Sequence, residues 1–506
     1  MTDAADSLTG APEDGGGSPP GGLGGRVARG AAWIAGGYFA LRVLGLLNTL
    51  VVARLLAPDD FGVVAIGVTL TQLLQNFSDV GVSQAVVRYD KAGRRELDTL
   101  FTLSTFRGVL ISGLLLIASI GASSFFDDAR VGPIFAVMAV VAFVQSLYNP
   151  KFYEFHRAIS FRQEMTVLTI EKIVMAGSSI AMALAFRTYW AIVLSILLGA
   201  LVRVALTYVL RPYMPRFGLS AFREMISFTG WITGLGFIVA LNNKLSPLVL
   251  GRLLGPTLTG VYSLGSTIAY LPGSDIAEPV ARAIYPGLSS LKDQSERMRT
   301  ALLKGMAALG AVALPASVGC AFVAHDLVEV LLGQNWAASV FVVQVYAPTV
   351  GVTAVVHLVS DYAVAKGEAR RACIREAIYF LIRFPAFVWA TATFGFTGAV
   401  WSAAGSGVLL AVLNGWLYSQ LTGRSALDIV RALWRPTLAV TAMAGFFFLA
   451  HPLMPGFDEA PAIVRLLVDA AMGAAVYGLA LLLIWRASGA PDGPERSLLS
   501  AIRARA

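Results

Sequence analysis

Fourteen stretches of about twenty mostly apolar residues follow one another along this chain, with only short connections between them. They lie near 30–53, 61–85, 99–121, 132–149, 166–186, 188–210, 225–247, 255–279, 302–324, 337–359, 373–392, 394–419, 433–452 and 463–485. A helix needs about 20 such residues to cross the hydrocarbon core of a bilayer. Charged residues make up 14 % of the chain, against about 25 % in soluble domains. The pattern predicts an all-α polytopic membrane protein with about 14 transmembrane helices. It excludes a soluble enzyme, a disordered chain and a coiled coil. Two pairs of spans meet without a loop, at Arg187-Thr188 and at Phe394-Gly395. Pro272, Pro315, Pro348 and Pro385 fall inside spans, where neighbouring helices can satisfy the freed backbone.

Basic residues give the orientation. With these spans, 28 of the 39 Lys and Arg fall on one side of the membrane, among them Lys366, Arg370, Arg371 and Arg375 at the mouth of the eleventh span. Only Arg54, Arg130, Arg187, Arg252 and Arg465 fall on the other. The positive-inside rule then places both termini in the cytoplasm. The net charge of +8 calls for no nucleic-acid partner, because a basic cytoplasmic face meets anionic membrane lipids. Residues 1–25 are acidic and rich in Gly and Pro, unlike a signal peptide, and read as a disordered cytoplasmic tail.

A segment recurs. Residues 54–69, RLLAPDDFGVVAIGVT, align with residues 252–267, RLLGPTLTGVYSLGST. Arg54, Leu55, Leu56, Pro58, Gly62, Val63, Gly67 and Thr69 match Arg252, Leu253, Leu254, Pro256, Gly260, Val261, Gly265 and Thr267. The copies are six spans apart, so they share one orientation, as in transporters built from parallel repeats. The plainer alternative is a shared chemistry of helix stop, Pro turn and helix start. The repeat predicts two six-helix lobes, residues 26–216 and 217–422. Two extra helices follow over 423–486, then a cytoplasmic tail over 487–506.

These motifs resemble a known family. The RLLxPxxFG turn, NFSDVGVSQAVVR (76–88), ELDTLFTLSTFRG (96–108) and YLPGSDIAEPVARAIYPGLSSL (270–291) are similar to the polysaccharide-transporter branch of the multidrug/oligosaccharidyl-lipid/polysaccharide exporter superfamily. Its best-known members are Wzx-type flippases. The resemblance implies a cargo: an oligosaccharide linked to polyprenyl diphosphate, moved from the inner to the outer leaflet by alternating access. It also implies work beside a polysaccharide polymerase. Such cargo needs a cationic, hydrated cavity and an opening that leaves the lipid tail in the membrane.

A charge inside a span costs about 2.5–3.5 kcal/mol on insertion scales and is a functional candidate by default. Arg42 lies midway along the first span. A guanidinium grips a diphosphate bidentately and stays charged. Arg42-Val43-Leu44-Gly45 also resembles the first helix of lipid II flippases, whose second basic residue is replaced here by Leu47 or Asn48. Its alternative role is an ion pair with Asp79. Lys244, beside Asn242 and Asn243, ends the repeat partner of that span, and snorkelling to the interface is its alternative. Lys172, next to Glu171, and Arg203 lie in spans 5 and 6, where a neutralised Glu-Lys pair joining helices is the favoured explanation. Arg383 lies in span 11, with Glu376 or Asp361 as alternative partners. Arg42, Lys244, Arg203, Lys172, Arg383, Asn48 and Asn243 form the expected substrate set. Asp79, Asp275 and Glu278 are the acids suited to carrying a coupled H⁺ or Na⁺, and a polar bend accounts for them equally.

The sequences 217–226 and 424–434 mix Leu and Phe or Trp with Arg and read as interfacial helices. Two Cys and four scattered His give no metal cluster, and no GxxxxGK[ST] motif is present. No cofactor is expected, and the chain reads as a transporter rather than an enzyme. The competing readings are a cation-coupled multidrug exporter of the same superfamily and a membrane glycan polymerase or ligase. The first would favour an acidic cavity, and the second a large polar outer loop.

Overall fold

The computed structural model describes residues 23–78, 93–153, 155, 161–220, 230–275, 291, 294–449 and 459–490. Among these, the regular elements are all helical. They are α1 (Leu23–Leu55), α2 (Pro58–Ser78), α3 (Arg94–Phe126), α4 (Val131–Ser146), α5 (Phe161–Phe186), α6 (Trp190–Leu210), α7 (Gly230–Lys244), α8 (Ser246–Tyr270), α9 (Ser295–Phe322), α10 (Ala324–Leu331), α11 (Ser339–Ala365), α12 (Ala369–Thr422), α13 (Leu427–Leu449) and α14 (Ala462–Ala487). Short 3₁₀ turns cover Pro150–Tyr153 and Gln334–Trp336, and a π-turn covers Leu271–Asp275. Among the described residues, ten helical stretches are long and apolar enough to cross a membrane. The protein is thus a multi-pass membrane protein.

The helix boundaries follow local chemistry. Pro58 opens α2 with its fixed φ, and Asp59 and Asp60 place negative charge at the positive end of the helix dipole. Asp60 Oδ2 accepts from the Ala57 N–H at 3.2 Å, which occupies a donor just ahead of the helix. The 54-residue α12 would be about 80 Å long if straight. It breaks at Gly395, whose φ of 63° favours glycine, and this is the Phe394-Gly395 junction expected from the sequence. Several buried hydroxyls are satisfied within helices, as when Thr71 donates to the Gly67 carbonyl at 2.8 Å and Thr391 to that of Phe387 at 2.6 Å. Phe106, Ile120, Phe186, Trp401 and Leu467 are exposed on the surface. That surface suits lipid rather than water.

Packing falls into two halves. Helix α1 lies on α5; α3 on α4; α5 on α6; and α4 on α2 and α6. In the second half α9 packs on α11 and α13, α11 on α12, α7 on α12, and α13 on α14. Val63, Ile66, Leu115, Ile134, Phe135 and Met138 centre one core. Leu302, Met306, Val359, Tyr362 and Tyr418 centre the other. Among the described residues, a broad contact of α2 against α8 joins the halves.

Of the two expected interfacial helices, most of 217–226 lies outside the described residues, and 424–434 is not a separate helix. Residues 212–220 form an irregular strap over the start of α3. Tyr213 donates to Asp98, Gly218 N–H donates to Thr102 Oγ1 at 2.9 Å, and Phe217 packs on Phe101. Residues 221–226 lie outside the described part. The stretch 424–434 runs straight into α13, with Leu427, Val430 and Trp434 exposed along the first turns.

Candidate functional site

The two copies of the repeat meet face to face. A Cβ on Gly62 would overlap the Pro256 carbonyl, and a Cβ on Gly260 would overlap the Pro58 carbonyl. Positions 62 and 260, like 58 and 256, are repeat equivalents. Only glycine permits this approach of backbone to backbone. The flanking arginines cross over. Arg54 of α1 donates to the carbonyls of Val330 and Leu331, at the end of α10. Arg252 of α8 donates to Asp127 Oδ2 at 2.9 Å, in the turn after α3. Each reaches into the opposite half. Trp336 Nε1 adds a bond to the Ala53 carbonyl at 2.8 Å.

This end holds the arginine-poor side. Arg130 binds Asp59 at 2.5 Å and Asp128 at 2.6 Å. The Arg130 guanidinium beside Asp128 holds its carboxyl below the usual range, and the two acids raise Arg130 in turn. His325, Asp326 and Glu329 come together on α10. Arg465 of α14 already lies against both acids, 2.5 Å from Asp326 and 3.8 Å from Glu329.

Beyond the seal lies a polar pocket of about 580 Å³, lined by α2, α7, α8, α11 and α12. Lys244, Asn243 and Arg383 of the expected set all reach it. Lys244 and Asn243 are exposed, and Asn242 is buried. The Arg383 guanidinium donates to the Asn242 carbonyl, to Ser246 Oγ at 3.3 Å and to Ser406 Oγ at 3.4 Å. None of these acceptors carries a charge, and the face of Tyr379 lies 5.9 Å away. Neither Glu376 nor Asp361 is its partner. Glu376 instead binds Arg375 at 2.9 Å and Asn242 Nδ2 at 3.1 Å. Arg375, counted by sequence among the cytoplasmic basic residues, is fully buried. Tyr262, Tyr270, Tyr346 and Tyr379 complete the walls, with the hydroxyls of Tyr270 and Tyr346 bonded at 2.8 Å.

Arg42 lies elsewhere. It faces an apolar groove of about 1030 Å³ formed by α1, α8, the π-turn, α9, α13 and α14. Phe39, Val43, Pro315, Met443, Phe447 and Tyr477 line it, and Asp469 is its acid. One turn of α8 separates groove from pocket. Thr267 and Tyr270 face the polar pocket, whereas Ile268 and Leu271 face the groove.

Arg203 lines a third cavity, about 470 Å³, inside the first half. It pairs with Glu171 at 3.6 Å and lies over the Tyr148 ring at 5.5 Å. Glu171 thus finds a partner on the next helix. Lys172 borders none of the three cavities. Asn48 accepts a bond from Ser179 at 2.7 Å, joining α1 to α5. Asp79 and Glu278 lie outside the described residues, and for Asp275 only the π-turn backbone is described. The sequence reading missed the four tyrosines, Asp469 and the Arg375–Glu376 pair. Adjacent opposite charges within an apolar run are the signal that marks the pair.

The architecture is that of an all-helical, multi-pass membrane protein. It superposes on the lipid II flippase MurJ in an inward closed conformation with a TM-score of 0.72. That match covers 89 % of this chain and 98 % of MurJ at 13 % identity. Residues 51–341 match the model of the polysaccharide biosynthesis protein family, and the chain belongs to that family. It is 25 % identical over 332 residues to the lipopolysaccharide biosynthesis protein WzxC of Escherichia coli (strain K12), covering 63 % of this chain and 66 % of that one. It is 23 % identical over 497 residues to the succinoglycan biosynthesis transport protein ExoT of Rhizobium meliloti (strain 1021), covering 95 % and 96 %.

Proposed function

We propose that this protein is a flippase for a polyprenyl-diphosphate-linked oligosaccharide. It carries its cargo from the inner to the outer leaflet of the bacterial cytoplasmic membrane for export of a surface polysaccharide. Both termini are cytoplasmic, and residues 26–216 and 217–422 are the two lobes. The observation that carries this reading is the placement of pocket and groove on either side of one turn of α8. A polar cavity with Lys244 and Arg383 suits a glycan, and an apolar groove suits a prenyl chain. Arg42 in the groove suits the diphosphate between them. Membership of a polysaccharide biosynthesis family and kinship to named transport proteins support the same cargo.

The lobes work by alternating access. Closure at the repeat leaves the pocket accessible from the arginine-rich, cytoplasmic side. Opening there while the opposite end closes completes the cycle. An ion gradient supplies the drive, with H⁺ or Na⁺ carried by acids such as Asp79, Asp275 and Glu278. A multidrug exporter for cationic drugs fits poorly with Arg383, which no acid neutralises among its bonded partners.

The test uses cells lacking the protein. Lipid extracts analysed by mass spectrometry should contain a polyprenyl-diphosphate oligosaccharide confined to the inner leaflet, cleared by the wild-type gene. Sensitivity to cationic drugs without such a lipid would favour the multidrug branch. Single repeat units collecting in the outer leaflet would favour a polymerase or ligase.

A further inference from the structure

Asn242 is 3 % exposed and lines the polar pocket. Its neighbours fix which way the amide faces. Nδ2 donates to the Glu376 carboxylate at 3.1 Å and to the Glu376 carbonyl at 3.4 Å. Both partners are acceptors, so the nitrogen faces Glu376 and the oxygen faces away. Arg375 holds the Glu376 carboxylate, and Arg383 holds the Asn242 carbonyl. Oδ1 accepts no hydrogen bond from any described residue. Ser263 Oγ, on the α8 wall of the same pocket, is a second buried oxygen without a partner among the described residues.

An amide oxygen can only accept, so its ligand must donate. An ionised diphosphate offers acceptors alone and cannot fill that role. A metal or ammonium ion would enter a network that already holds the guanidiniums of Arg375 and Arg383, a repulsive setting. A sugar hydroxyl donates, is neutral and matches a wall of tyrosine, serine and threonine. We propose that Asn242 is a specificity-determining residue that accepts a hydrogen bond from one hydroxyl of the cargo's glycan, with Ser263 as a second polar contact. This rests on the flippase reading and adds which part of the cargo the pocket reads. A site built to bond a substrate hydroxyl rejects the analogue lacking it far more strongly than an apolar pocket can.

The probe is the glycan released by mild acid from the lipid that accumulates in cells lacking the protein. Binding to the purified full chain in lipid nanodiscs is measured by calorimetry. Wild-type protein should bind this glycan, and inorganic diphosphate should not compete. Within a set of singly deoxygenated glycans, one should bind at least tenfold more weakly than the parent. Asn242→Leu should lose at least tenfold for the parent and no longer discriminate that analogue. Ser263→Ala, which removes an unbonded hydroxyl, should fold normally and lose a few-fold. Equal binding of every deoxygenated glycan by the wild type overturns the proposal even if Asn242→Leu fails to fold. So does competition by diphosphate. If the lipid accumulates but the wild-type protein ignores its glycan, this inference falls and the flippase reading stands. If no such lipid accumulates, the flippase reading itself falls.

Discussion

Asp59 and Thr257 stand 198 positions apart and are hydrogen bonded to each other at 3.0 Å. The repeat maps one position onto the other, so a pseudo-twofold axis passes between them. Around it, Gly62 meets Pro256 and Gly260 meets Pro58, while Arg54 and Arg252 each cross to the other half. The equivalence written in the sequence is therefore also a contact.

If this contact is the closed outer gate, it must part in every cycle. Asp59→Cys combined with Thr257→Cys should form a crosslink under oxidant, stop export, and recover when reduced. Full export by the crosslinked protein, with the bond verified by mass spectrometry, would show that this end never opens.

Gly62→Val should wedge the same seal apart. Overpacking of this kind costs about 1–3 kcal/mol, enough to shift a balanced two-state equilibrium by roughly fivefold or more. A cysteine at Asn243 should then react faster with a membrane-impermeant thiol reagent added outside the cell. An unchanged labelling rate would refute the wedge.

Arg42→Ala should abolish export while the protein still reaches the membrane in normal amount. Arg42→Lys should restore it in part, because a point charge replaces a bidentate fork. Normal export by a well-expressed Arg42→Ala protein would end the diphosphate role.

Removal of α13 and α14 by truncation after Thr422 takes away one wall of the groove. Translocation of long-chain polyprenyl cargo should fail in reconstituted vesicles. Full activity of the truncated protein would separate the groove from function.

Glu376→Ala should destabilise the second half by about 3–5 kcal/mol, since it strands the Arg375 guanidinium in the interior. Replacing both residues by apolar ones of similar size should cost far less. Thermal unfolding in detergent compares the two, and equal losses would contradict the buried-pair account.

The run of apolar stretches already gave an all-helical membrane chain, and the junctions at Arg187 and Gly395 lie where the sequence puts them. Lys244, Asn243 and Arg383 were legible because charge and amide inside a span are costly, and the fold does bring all three to one pocket. Periodicity names a face but not its neighbour. Arg375 follows Lys366, Arg370 and Arg371 in sequence, so it read as one more cytoplasmic cation. Its neighbour Glu376 is one partner, and only the packing of α11 against α12 reveals Ser360 as the other. The tyrosines gave no signal either, because an aromatic in a span reads as core until a cavity opens beside it. At 424–434, exposed Leu and Trp meant lipid contact along a spanning helix rather than a separate helix on the surface.

The groove that holds Arg42 has walls from different halves. Phe39, Arg42 and Val43 belong to α1, which rests on α5, while Pro315 and Tyr477 belong to α9 and α14. Tyr477 donates to the Ala311 carbonyl at 2.8 Å, so α14 travels with α9. Any rocking of one half against the other must change the width of the groove. A lipid chain lying there is squeezed or released with each swing, and its thickness becomes a mechanical load on the machine.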